Sequence, residues 1–174
     1  MTYPVHLEAH LRWIDRLTAE VLRNAPPPGP VGDEFRSDLA GLLATAYFAA
    51  YECCIKAIFV QFAMKRHKIL AASTGFHFDR LNGKIHWNTI ADQYAKQFGE
   101  TYKNKFLDEL NKIETKILAS KKVSVKKGYE NILTWRNAFA HEGKKLCSLD
   151  EVVNTEPVSR EIITLIDSVM NPPK

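Results

Sequence analysis

Arg136-Asn137-Ala138-Phe139-Ala140-His141, followed by Glu142-Gly143, closes a run from Val125 in which apolar residues recur at helical spacing. At about 100° per residue, Tyr129, Ile132, Phe139 and Ala140 gather on one face, and Arg136 projects from the middle of it. A guanidinium facing a core is costly unless it is paired and hydrogen-bonded. The face is therefore expected to look onto a polar cleft, a buried carboxylate or an anionic ligand. Asn137 and His141 are four residues apart and share the neighbouring flank. Arg136 and His141, five apart, diverge by about 140°, so one helix is not expected to bring them side by side, and a groove where two such helices meet suits them better. Gly143 ends the helix and puts His141 in its last turn, where the helix dipole favours a protonated imidazole. Histidine switches charge near neutral pH, which suits an acid or base.

The pattern Arg-Asn-x-x-x-His on the penultimate helix of a small helical chain resembles the R-x4-6-H motif of the HEPN superfamily, with a polar residue after the arginine. The likeness is nearest to the stand-alone HEPN domains of prokaryotic defence and toxin systems, including the RiboL-PSP type, where this helix reads much like RNxxAHEG. The resemblance implies an all-α fold, an antiparallel bundle of about five to six helices. It also implies a homodimer that joins two motifs in one cleft. Arg136 would hold a scissile phosphate, His141 would act as acid and base, and Asn137 would position His141 or the phosphate.

The 174 residues, 45% hydrophobic and 25% charged, suit one globular domain spanning 1–174. A net charge of +4 permits an anionic partner without identifying one. Cys53, Cys54 and Cys147 read as reduced thiols in a cytosolic protein, and neither a metal site nor a cofactor motif is expected. No signal peptide is apparent at the N-terminus.

Val5, Leu7, Leu11, Ile14, Leu17, Val21 and Leu22 mark an amphipathic helix over residues 4–24, stopped by the Pro26-Pro27-Pro28 run. Residues 34–65 form the longest apolar segment, with only Glu52 and Lys56 charged between Leu39 and Met64. Mid-span charges favour a buried central helix over a membrane span. Glu52 needs a partner there, and both Arg136 and the i,i+4 neighbour Lys56 qualify. The HEPN likeness favours a supporting role, in which Glu52 orients Arg136 or His141. Residues 66–88 break the pattern, and Phe76-His77-Phe78 to Trp87 reads as a short hairpin or structured loop turning at Asn82-Gly83. Helices are expected at about 88–98, 101–120, 124–141 and 156–170. Lys103, Lys105, Lys112, Lys116, Lys121, Lys122, Lys126 and Lys127 precede the motif, and Lys144 and Lys145 follow it. The last four before it and the two after it are candidate RNA-phosphate contacts.

The resulting expectation is a metal-independent endoribonuclease acting on RNA through the 2′-hydroxyl. The resemblance implies a toxin or phage-defence effector restrained by an antitoxin or other regulatory partner protein. The alternative is a non-catalytic HEPN-type scaffold that dimerises and binds nucleotide or protein, in which an Arg136–Glu52 pair is structural.

Overall fold

The structure, a computed structural model, describes residues 3–79 and 83–172. These residues are largely helical and include no strand. Helix α1 covers Val5–Asn24, α2 Asp33–Met64 and α3 Lys68–Phe78. The short α4, Trp87–Thr89, widens into a π-helical turn at Ile90–Ala95 and tightens into a 3-10 turn at Lys96–Phe98. Helices α5 (Glu100–Lys121), α6 (Val125–Glu142) and α7 (Leu149–Met170) complete the bundle. The all-α reading of the sequence holds.

Helix α2 is the axis of the molecule. Its scarcity of charge lets it bury side chains on several sides, and α1, α3, α6 and α7 all pack against it. Tyr47, Tyr51, Ile55, Ile58, Phe59 and Phe62 are inaccessible or nearly so, and burying each contributes roughly 1.5–3 kcal/mol over leaving it exposed. The buried tyrosine hydroxyls find partners: Tyr47 with Thr18, Tyr51 with Glu156 and Tyr129 with the Ile85 carbonyl. By length and composition α2 could cross a bilayer, but 56% of its most apolar window is buried inside the fold. That is how a core helix looks.

Two expectations are corrected. Of the hairpin or structured loop expected near 66–88, the described residues form no hairpin strand: Lys68–Phe78 is α3, which begins where the His67 ring accepts a hydrogen bond from the Ile69 amide, and residues 83–86 are loop. Ala71, Thr74 and Phe78 turn inward at helical spacing, so the Phe76-His77-Phe78 sequence is not a strand alternation. The turn placed at Asn82-Gly83 lies partly outside the described residues; Gly83 has φ +81°. The closing helix starts at Leu149 rather than near Glu156, because Ser148 and Glu151 form a reciprocal capping box. Pro157 lies inside α7.

Candidate active site

The sequence of α6 fixes both of its ends. At the first, Ser124 Oγ accepts from the Lys127 amide at 3.0 Å. Glu114 Oε2 of α5 accepts from the amides of Val125 and Lys126 at 2.8 and 3.1 Å. Donors that a helix start leaves orphaned are thereby satisfied. In the middle, Tyr129 stacks on Tyr51 of α2 with centroids 5.7 Å apart. At the far end, Phe139 lies directly on the α2 backbone at Gly41, where a Cβ would stand 2.1 Å from the Phe139 Cδ2. Gly143, at φ +63°, ends the helix, with its amide donating to the Phe139 carbonyl and that of Lys144 to the Ala138 carbonyl.

This end brings Arg136, Asn137 and His141 together. Arg136 Nη1 donates to Asn137 Oδ1 at 2.8 Å and lies 3.0 Å from His141 Nε2. The expectation that Arg136 and His141 cannot meet on one helix is corrected. Divergence of about 140° applies to the directions in which side chains leave the helix, and the long arginine arm closes it. A guanidinium has only donors, so in a hydrogen bond across this contact Nε2 is the acceptor. Asn137 accepts from Arg136, and among the described residues no hydrogen bond joins it to His141.

Arg136 is held from below by an aromatic ring. Its guanidinium carbon is 4.5 Å from the centroid of Phe48 on α2, and its buried Nε has no hydrogen-bond partner. Glu52, one turn beyond Phe48 on α2, pairs with Lys56 at 3.7 Å, and no ion pair joins it to Arg136. The i,i+4 neighbour is always in reach on one helix, whereas Arg136 must come from α6. Glu52 instead bears on Tyr94, whose hydroxyl is pushed up to about 12 by burial and, secondarily, by that carboxylate.

The lysines do not surround the motif. Lys126 and Lys127 lie at the opposite end of α6, with Lys126 about 22 Å along the axis from His141. The Lys126 ammonium donates to Asn111 at 2.8 Å and sits 5.0 Å from the Trp87 ring centroid. Lys121 ends α5 and lines a depression of about 670 Å³ with Tyr3, Asp15, Glu156 and Arg160. Lys122, just past α5, takes a left-handed conformation, φ 57°. Lys144 and Lys145 are near the motif but engaged. Lys144 contacts Glu142 at 2.6 Å, and Lys145 contacts Asp38 at 2.7 Å. The hydrogen bond and charge of Lys144 hold the Glu142 carboxyl below its usual range.

A family model described as RiboL-PSP-HEPN matches residues 9–171. The chain belongs to the RiboL-PSP-HEPN family. Its match takes in the described helices from within α1 onward and contains the whole Arg136–His141 motif. Comparisons with curated proteins and with solved structures give no match. HEPN domains are often ribonucleases, which gives this member an RNA-related or nuclease context.

Two contributors to this HEPN site escaped the sequence reading. Phe48 and Gly41 look like ordinary core positions in a long apolar helix. Only a knowledge of which α2 face meets α6 distinguishes them. Among the described residues, no group of three His, Cys, Asp or Glu side chains is placed to hold a metal ion. The buried Cys54 thiol is pushed up to about 12 by burial, which makes it a poor nucleophile.

Proposed function

We propose that this HEPN domain is a metal-independent endoribonuclease that uses the 2′-hydroxyl of RNA as nucleophile. The observation that carries this reading is the 3.0 Å contact between Arg136 Nη1 and His141 Nε2. It joins a cation that has no carboxylate partner among the described residues to a nitrogen that can accept a proton. Those are two of the groups the chemistry requires: an acceptor for phosphate charge and a base.

An RNA phosphate arriving at Arg136 competes with His141 for Nη1, and the freed Nε2 takes the proton of the 2′-hydroxyl. The 2′-oxygen then bonds to phosphorus, Arg136 stabilises the phosphorane, and the bond to the 5′-oxygen breaks. The products are a 2′,3′-cyclic phosphate and a 5′-hydroxyl, the leaving oxygen having taken up a proton. Entering and leaving oxygens lie on opposite sides of phosphorus, so one imidazole cannot serve both. A second copy of the chain would supply the acid from its own motif. That pairing is supported by the family pattern, because the geometry of α6 does not require it.

The same family context supports a cytosolic toxin or phage-defence effector restrained by an antitoxin-like partner protein. The competing reading, a non-catalytic module that binds nucleotide or protein, drew on a helix-capping His141 and on an Arg136–Glu52 ion pair, and the second of these does not form.

The test is cleavage of a mixed RNA pool by purified protein in EDTA, beside His141→Ala and Arg136→Ala. The expected result is chelator-resistant cleavage that falls about a hundred- to ten-thousandfold in either folded variant. Intact RNA with all three proteins, or equal cleavage by all three, would overturn the reading.

A further inference from the structure

We infer that Phe48 is a positioning residue for the Arg136–His141 site: its ring, in place of a carboxylate, fixes the guanidinium beside the imidazole. The kinetic part of this inference rests on the ribonuclease reading; the geometric part does not.

Arg136 Nη1 is committed to Asn137 and His141, Nε is buried without a partner, and among the described residues Nη2 makes no hydrogen bond or ion pair. In-plane bonds therefore hold the group at one nitrogen only, about which it could pivot. The Phe48 ring, 4.5 Å from the guanidinium carbon, supplies the second constraint by facing the cation with its negative π surface.

The ring is a firm support. Phe48 is 3% exposed and belongs to the helix on which α1, α3, α6 and α7 pack. Gly83 closes in at the ring edge, where an added Cβ would lie 3.5 Å from Cζ. The choice of an aromatic face has a chemical consequence. A carboxylate would position Arg136 equally well but would neutralise it, and an incoming phosphate would have to displace that anion. A π face orients the cation and leaves its charge to the ligand. It also decides which edge is presented: Nε turns inward, while Nη1 and Nη2 form the edge suited to two phosphate oxygens.

The experiment replaces Phe48 with site-specifically incorporated 3,4,5-trifluorophenylalanine, which preserves the ring's shape while withdrawing electron density from its face. Phe48→Leu is made in parallel. Two readouts are taken: the ¹⁵N chemical shift of His141 Nε2, which reports the Arg136 contact, and the kinetics of RNA cleavage. The fluorinated protein should keep its melting temperature, while its His141 Nε2 signal moves toward that of Arg136→Ala. Its kcat/KM should fall roughly three- to thirtyfold. Phe48→Leu should move the same signal further.

A fluorinated protein with unchanged Nε2 shift and unchanged kcat/KM would overturn the inference, even if Phe48→Leu unfolded. If the wild-type protein leaves RNA intact, the ribonuclease reading fails by itself. The Nε2 shift then decides alone: movement on fluorination upholds the positioning role, and a fixed signal removes it.

Discussion

Arg160 on α7 and Arg136 on α6 are the same side chain in opposite electrostatic settings. Arg160 Nε donates to Glu156 at 2.7 Å, and its Nη1 lies 2.8 Å from Asp15 and also donates to the Tyr3 hydroxyl. Burial alone would lower its pKa, but the hydrogen bonds and charges of Glu156 and Asp15 overrule that and raise it. Among the described residues Arg136 has no carboxylate partner, only an amide oxygen, an imidazole nitrogen and a ring face. The first arginine is consumed in tying α7 to α1. The second keeps its charge available, and that difference separates a structural cation from a candidate phosphate-binding one.

The sharpest way to break the comparison is to remove each cation by a substitution of similar bulk. Arg160→Met strands the nearly buried Glu156 carboxylate and should cost about 3–5 kcal/mol, whereas Arg136→Met gives up chiefly its contact with Phe48 and should cost about 1 kcal/mol or less. Chemical denaturation of both variants checks this, and similar losses would show that Arg136 is structural after all.

A second change sharpens the picture at the motif end. Gly41→Ala puts a methyl where the Phe139 ring lies, which should cost about 1–3 kcal/mol through overpacking. It should also lower RNA cleavage more than that stability loss explains, because Phe139 shares the last two turns of α6 with Arg136 and His141. Urea melts read beside initial rates would reveal it.

The smallest effect concerns pH. Burial raises the pKa of Glu156 above the ordinary carboxylate value, although hydrogen bonds from Arg160 and Tyr51 pull the other way. A folded-state pKa above the unfolded one means that the native state holds the proton more tightly. The associated stability is full below the unfolded pKa and is lost as pH rises through the folded one. Wild-type stability measured against Glu156→Gln should therefore decline as pH rises above the ordinary glutamate range. A difference that grows with pH would contradict that sign.

Helical periodicity made α1, α2, α5 and α6 legible, because each has one dominant apolar pattern or, in α2, almost no charge. The start of α7 was written in Ser148 and Glu151, but the apolar spacing is clearest from Val158 onward. Phe76 and Phe78 read as alternating strand residues, and only packing on α2 shows that Phe78 alone turns deep into the core. At the motif, Arg136, Asn137 and His141 could be found by spacing and by likeness to HEPN chains. Their mutual contact could not, because helical angles describe where side chains begin and not where a long one ends. Glu52 misled for the converse reason: a buried charge demands a partner, but sequence does not say which candidate is nearer.

The left-handed closure at Gly143 sets a limit on how long the motif stays assembled. His141 is the next-to-last residue of α6, and the amides of Gly143 and Lys144 hold the final turn through the carbonyls of Phe139 and Ala138. Helix ends fray before helix centres. Each fraying event would carry the imidazole away while Arg136, a turn and a half deeper, stayed over Phe48. Hydrogen exchange at those two amides would therefore time the opening of the motif, and its rate would measure the fraction of molecules ready to act at any instant.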